Sequence, residues 1–270
     1  MKSRKESKID TQIAMESEII GFEKVDVKWL GARPDLKVIG FPGTGLDHID
    51  LKECEKRGIK VISLKGETEF LQTIPSVAEL TIWFILELLR RPHEGRFIGN
   101  QLRGKTVGLI GMGRIGTQLS ERLAPFEVKI LHNDIKDERY FYLGGMDKFR
   151  TLDKLFSECD VISLHVPLNS ETEEMIKGEH LKTMKPGAIL INTSRGQIVE
   201  RESLLRAIRE RSLGYGTDVV RDDKEKENLK RLKRAGFNVV VTEHIGGNTA
   251  EAIKATREFI INKVAKYIKN

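Results

Sequence analysis

The sequence reads as an α/β protein whose larger part is a doubly wound parallel sheet. From residue 105 onward, short runs rich in Val and Ile alternate with stretches of helical period, as in a sheet covered on both faces. A shorter β, α, β succession, "LKVIGF", "IDLKECEKRG" and "IKVISL", comes before them. The glycines of "VGLIGMGRIG" fall directly after one strand and open the next helix.

Residues 1–35 are polar and weakly patterned. "LKVIGF" (36–41) is a short buried strand that ends at "PGTG", and the helix after it stops at Gly58 before the next strand begins. In "IPSVAELTIWFILELLRR", Ser76 and Glu79 have the spacing of a capping box, and Pro75 marks the helix boundary. That helix is apolar nearly all round from Leu80 to Leu89, so it is expected to be buried between domains or subunits. The boundary is placed here: residues 1–73 with 249–270 form one domain, and 74–248 the other. The second domain runs through "KTVGLIG", a helix from Ile115 to Leu123, "EVKILHND", "CDVISLHVP", "GAILINTS", "GYGTDVV" and "FNVVVTEH". In the closing "TAEAIKATREFIINKVAKYI", Ile253, Ile260, Val264 and Ile268 fall on one helical face that can cross back onto the first domain.

With 39% hydrophobic and 32% charged residues, the composition is that of an ordinary globular chain long enough to bury a full core. The net charge of +6 comes from 46 basic and 40 acidic residues interspersed along the whole length, which argues against nucleic acid as a partner. The basic start "MKSRKESK" has no apolar core behind it, and no later apolar run is expected to span a bilayer. Cys54 and Cys159 lack metal-ligand spacing, so no metal is expected, and two isolated thiols suit a reducing cytoplasm.

Gly111, Gly113 and Gly116 have the G-x-G-x-x-G spacing. After a strand and before a helix, such glycines allow a tight turn and let a pyrophosphate approach the helix N-terminus. The following strand ends in Asp134, whose carboxylate is placed to bond both ribose hydroxyls and to repel a 2′-phosphate, so the cofactor reads as NAD rather than NADP. Asp134 as a plain helix cap and Arg114 as a solvated surface charge are the alternatives.

"NVVVTEHIGGNT" ends a β-branched run at Thr242 and delivers His244 into a glycine-rich loop. Such a histidine is either a solvated loop residue or an imidazole that trades protons at the carboxyl end of a parallel strand. "AILINTSRG" delivers Arg195 in the same way, so both side chains are expected in one crevice. Reduction of a 2-keto acid by hydride needs a cation for the substrate, a proton donor for the keto oxygen and backbone N–H groups for the carboxylate.

"LKVIGFPGTGLDHID", "SVAELT", "GKTVGLIGMGRIG", "SLHVPLNSET", "MKPGAILINTSRGQIV", "TDVV" and "TEHIGGNTAEA" follow one another from residue 36 to 254. In that order they resemble the D-isomer-specific 2-hydroxyacid dehydrogenases, the family that includes phosphoglycerate dehydrogenase. The resemblance implies a Rossmann NAD domain, a smaller flavodoxin-like substrate domain, a homodimer, and a 2-hydroxy or 2-keto acid as substrate. It also implies proton transfer by His244, substrate binding by Arg195 and backbone donors at Thr44 and Gly45. NAD contacts are implied at Arg114, Ile115, Asp134, Pro167, Thr193 and Asp218.

The chain departs from the family pattern in three places. The family pairs its histidine with the glutamate of D-V-x-x-x-E-P, whereas this chain has "DVVRDDK", which puts Asp223 at that place, shorter by one carbon–carbon bond of about 1.5 Å. A carboxylate there is expected to raise the His244 pKa; Asp222 and Glu225 are rival partners, and a solvated acidic loop is the remaining alternative. Family members usually carry a longer section before the stretch matched by "LKVIG", so the substrate domain is expected to be shortened at its N-terminus. "SLKGETEFLQTIPS" is longer than the usual link, and its Lys65, Glu67 and Glu69 either line the substrate side or are solvated. A non-catalytic NAD-sensing module is the rival function; a sensor has no need of both Arg195 and His244.

Overall fold

The structure, a computed structural model, describes residues 16–21, 23–90, 98–135 and 148–269. The chain divides into two units, Met1–Thr73 with Asn248–Asn270, and Ile74–Gly247.

The smaller unit opens with β1 (Ser17–Ile19), α1 (Val27–Gly31), β2 (Val38–Phe41), α2 (Leu51–Lys56), β3 (Lys60–Ser63) and α3 (Thr68–Gln72). Its strands form a parallel sheet in the order β1-β2-β3. Both early helices begin at an aspartate that accepts from free backbone N–H groups: Asp26 from Trp29 at 3.0 Å, and Asp50 from Glu53 at 3.0 Å. Gly58, with φ 69°, ends the turn after α2 in the left-handed conformation that glycine adopts without strain. "GETEFLQT", read as part of a link longer than usual, contains α3, and its Glu67 is ion-paired with Lys263 of the same unit.

The larger unit contains α4 (Ser76–Arg90), β4 (Thr106–Ile110), α5 (Arg114–Leu123), β5 (Lys129–Asn133), β6 (Lys148–Phe149), α6 (Leu152–Glu158) and β7 (Val161–Leu164). It continues with α7 (Gly178–Thr183), β8 (Ile189–Asn192), α8 (Arg201–Arg211), β9 (Gly214–Thr217), α9 (Asp223–Arg234) and β10 (Val239–Val241). The closing helix α10 (Ala250–Lys269) belongs to the smaller unit. All seven strands of the larger unit are parallel, in the order β10-β9-β8-β7-β4-β5-β6. After β4 the chain builds outward on one side through β5 and β6; it then returns to β7 and builds on the other side. The reversal lies between β4 and β7, where open α/β sheets leave a crevice at the carboxyl ends of the strands.

Alternate residues of the strands feed two cores. Ile110, Leu131, Ile162, Leu164, Leu190 and Tyr215 pack with residues of α6 to α9, while Leu109, Ile130, Val161, Ile189 and Ile191 pack with α4 and α5. Burial on both faces explains why these strands read as continuous apolar runs. In α4, Phe84, Ile85 and Leu88 are fully buried, and a Cβ on Gly216 of β9 would lie 2.9 Å from both Phe84 and Leu88. The helix therefore rests directly on the strand.

Three local expectations change. α4 starts at Ser76, with the Pro75 carbonyl accepting from Glu79 at 3.1 Å, so Ser76 is the first helical residue rather than the cap. Its hydroxyl is buried and has no partner among the described residues. Contrary to the expectation of no membrane-length run, Thr68–Arg90 is long and apolar enough by composition. It is two helices with a break at 73–75, and α4 is a buried core element. In α10, Ile260 and Val264 pack on Val38 and Ile62, with Ile268 partly buried beside them, but Ile253 is exposed. Twenty helical residues extend about 30 Å, whereas two strand spacings cover only about 10 Å of sheet, so part of the helix lies beyond the strands.

Candidate active site

The residues singled out in the larger unit follow the carboxyl ends of its strands. Because every strand is parallel, these ends share one edge. Gly111 follows β4, Asp134 follows β5, Pro167 follows β7, Thr193 and Arg195 follow β8, Asp218 follows β9, and His244 follows β10.

At the glycine loop, Gly111 has φ 92° and a Cβ there would lie 2.6 Å from the His165 carbonyl oxygen. A Cβ on Gly116 would lie 2.1 Å from the Gly111 carbonyl oxygen, so only a glycine lets α5 sit so close to the loop. Nothing lies within 4 Å of a Cβ on Gly113, which keeps that side open. No side chain caps α5, so the N–H groups of its first turn, Arg114, Ile115 and Gly116, form an anion site. The Asp134 carboxylate accepts from the Met112 N–H at 2.7 Å and so is fixed at the loop. A helix cap formed by Asp134 would involve residues from 136 onward, which lie outside the described residues. Arg114 is no solvated surface charge: its guanidinium donates to the Ile74 carbonyl at 3.2 Å, and burial lowers its pKa from the usual arginine value.

Two further groups point to a cofactor. Both ring nitrogens of His165 and the Thr193 hydroxyl are buried with no partner among the described residues, although such groups are ordinarily hydrogen-bonded. Burial lowers the His165 pKa to about 3, so the imidazole stays neutral. An open glycine loop, an uncapped helix N-terminus, a carboxylate at the neighbouring strand end and buried orphan polar groups beside them fit a dinucleotide. Sequence reading passed over His165, yet "VISLHVP" puts it directly after a strand, as "VVVTEH" does for His244.

Arg195 stands at the start of a 3-10 turn, Gly196–Ile198, whose geometry is braced from several sides. Asn192 donates to the Arg195 carbonyl at 2.8 Å and accepts from the Ser194 N–H at 3.0 Å, while the Ser194 hydroxyl donates to the Leu164 carbonyl at 2.7 Å. A Cβ on Gly196 would lie 2.3 Å from the Arg221 nitrogen. Arg221 in turn donates to the Gln197 and Val199 carbonyls, each at 3.4 Å, and pairs with Glu174 at 2.8 Å.

His244 has φ 56°, a left-handed backbone uncommon outside glycine. Asp218, 3% exposed, holds that loop: it accepts from the Thr242 hydroxyl at 2.6 Å and from the Ile245 and Gly246 N–H groups, each at 2.7 Å. Burial lowers the His244 pKa; the negative Asp218 opposes the shift and the positive Arg195 reinforces it. Arg195 and His244 thus lie within electrostatic reach of each other.

This corrects two expectations. The His244 pKa is depressed, not raised, because loss of water around the ring outweighs the nearby carboxylate. That carboxylate is Asp218, not Asp223, which is exposed in the first turn of α9. The rivals are also engaged elsewhere: Asp222 caps α9 and pairs with Arg201, and Glu225 is buried and accepts from the Arg221 N–H at 2.5 Å. In the smaller unit, Thr44 and Gly45 lie in the loop after β2, with Thr44 exposed.

A family model described as "D-isomer specific 2-hydroxyacid dehydrogenase, NAD binding domain" matches residues 83–246. A glyoxylate reductase of Thermofilum pendens is 37% identical over 268 residues, covering 92% of this chain and 76% of the relative. A hydroxypyruvate reductase of Thermotoga maritima is 35% identical, covering 90% and 81%. Among solved structures, D-lactate dehydrogenase from Aquifex aeolicus, complexed with NAD and lactic acid, superposes with a TM-score of 0.80 at 30% identity, over 97% of this chain and 85% of that one. The glycine loop and the parallel sheet with its switch point agree with an NAD-binding domain of this kind, and the chain belongs to the D-isomer specific 2-hydroxyacid dehydrogenase family.

Proposed function

We propose that the chain interconverts a D-2-hydroxy acid and its 2-keto acid, with Arg195 holding the substrate and His244 moving the proton. Membership of the family makes it an NAD-dependent oxidoreductase acting on CH–OH donors. The observation that carries the residue assignment is the position of Arg195 and His244 after the carboxyl ends of β8 and β10, on one edge of the sheet with β9 between them, close enough for the guanidinium to depress the imidazole pKa.

Bound NAD supplies or accepts the hydride, and the protein supplies orientation and protons. Gly111, Gly113 and the first turn of α5 would hold the pyrophosphate; Asp134 would hold the adenine-side ribose; His165, Thr193, Pro167 and Asp218 would border the rest. In reduction, Arg195 binds the substrate carboxylate and polarises the keto group, and His244 gives its ring proton to the oxygen. In oxidation, neutral His244 takes the hydroxyl proton. Two buried free thiols, Cys54 and Cys159, support a reducing, cytoplasmic setting.

A spectrophotometric screen of 2-keto acids with NADH tests the reading, starting with glyoxylate and hydroxypyruvate, the acids in those relatives' names. Turnover of one of them is expected. NAD binding with no turnover of any keto acid would favour the sensing module, which the exposed Asp223 also supports. The cofactor preference is checked on Asp134→Ala, which should weaken NAD and narrow its margin over NADP. Equal affinity of the unmodified protein for both cofactors would refute that assignment.

A further inference from the structure

We propose that the cavity between β3 and α10 of the smaller unit binds a small anion with two or more phosphate charges. The cavity has a volume of about 420 Å³, within the range of small-molecule sites. None of its lining residues belongs to the larger unit, so it is a different site from the glycine loop and the His244 loop.

Its walls are cationic on several sides. Lys60 opens β3, and Lys65 lies two residues past its end at Ser63, in the turn that follows. Lys263 and Lys266 line the opposite wall at i, i+3 spacing, which puts them on one face of α10. Among the described residues no carboxylate lines the cavity, and the acid bound to one of these lysines is Glu67, on Lys263. Lys60, Lys65 and Lys266 are exposed, and each adds a favourable charge interaction when an anion enters.

The floor is apolar and aromatic. Ile62, packed toward α10, gives it apolar surface, and Tyr267, half exposed, adds a ring beside Lys266. Among the described residues β3 is the edge of its sheet, so its outer backbone groups border the cavity as additional polar partners. A monocarboxylate would engage a single ammonium. A multivalent phosphate engages several, and lysine serves phosphate well as a point charge. The concavity favours a small molecule over the extended surface of a nucleic acid or a membrane.

The test uses the full chain saturated with NAD, so that the glycine-loop site is filled, and titrates inorganic pyrophosphate by calorimetry. One-to-one binding that weakens as salt is raised is expected. The double variant Lys60→Ala/Lys266→Ala should bind at least tenfold more weakly, with the melting temperature and NAD affinity unchanged. Lys56→Ala, which removes an exposed lysine on α2 outside the cavity, should bind like the unmodified chain. Phenyl phosphate should bind the unmodified chain and lose affinity in Tyr267→Ala. No saturable pyrophosphate binding, an unaffected double variant, or equal loss in Lys56→Ala would overturn the proposal. Should the double variant misfold, the single variants Lys60→Ala and Lys266→Ala are each expected to bind at least threefold more weakly, and two unchanged affinities would likewise overturn it. These binding readouts do not depend on turnover of any keto acid.

Discussion

An imidazole that both gives and takes a proton is governed by what surrounds it, and at His244 three influences compete. Burial and Arg195 favour the neutral ring, while Asp218 favours the charged one, and the net effect is a pKa below the ordinary 6.5. Reduction requires the protonated ring, so its kcat/KM should fall as pH rises through a value below 6.5, while oxidation should hold a plateau above it and decline on acidification. The stability linkage has a matching sign. Neutral His244 carries no penalty above the unfolded pKa, and folding is progressively destabilised as pH falls through the folded one. His244→Ala should lower turnover on the order of 10²–10⁴-fold with NAD affinity retained, and a fully active variant would refute the assignment. The carboxylate is separable by substitution. Asp218→Asn removes a charge that accepts three hydrogen bonds, so it should cost on the order of 1.5–3 kcal/mol of stability and move the reduction limb to still lower pH. Asp223→Asn should leave both the melting curve and the pH profile unchanged. Strand-end position made Arg195, His244 and Asp134 legible in the sequence, because a parallel strand presents its next residues at the crevice. The charge that acts on His244 was not legible. The depression of its pKa arises from packing around the ring, and Asp218 reaches its loop through contacts 24 to 28 residues away in sequence.

Loops reach working geometry through the elements behind them. The turn that carries Arg195 is anchored in the core by Ile198, while its polar side is held by Asn192 from β8 and by Arg221 from the segment before α9. Arg221 is therefore a positioning residue. Arg221→Ala should raise the KM for the keto acid several-fold more than it lowers kcat, while the NAD dissociation constant stays within twofold, as steady-state kinetics and a fluorescence titration would show. An equal fall in kcat with unchanged KM would mean that Arg221 acts in the transition state instead. The alternation of strands and helices was readable at this scale because Val and Ile runs and helical periods have distinct spacings. Element boundaries were less so. Ser76 has the chemistry of a cap but sits one residue inside α4, because the Pro75 carbonyl already closes the first turn. The long link before α4 read as a connecting loop, yet Thr68–Gln72 forms a helix with Leu71 buried.

At the scale of the molecule, the sheet order follows from a rule that the sequence already obeys. A glycine loop after β4, with successive parallel crossovers on both sides, fixes one ligand edge, and every strand-end residue inherits its place from that order. Association of copies is set by surface rather than by topology, and α4 is where the two meet. Its inner face, Phe84, Ile85 and Leu88, is consumed by the core. Its outer face carries Trp83, 42% exposed, with Ile82 and Leu86 only partly covered. A tryptophan flanked by aliphatic side chains on an outward helical face gains free energy by packing against a second surface, and a two-fold axis through the helix would pair the same residues from each copy. We therefore expect a homodimer. Size-exclusion chromatography with light scattering at micromolar concentration should give a mass near 61 kDa, about twice the 30.7 kDa chain. Trp83→Asp should shift that mass to the monomer without unfolding the sheet, because Trp83 is 42% exposed and borders the core at Phe84, ring centroids 5.0 Å apart, rather than filling it. A monomeric unmodified chain, or a dimer indifferent to Trp83→Asp, would place the interface elsewhere. In a dimer held by this face the melting temperature should also rise with protein concentration, since association stabilises only the folded chain.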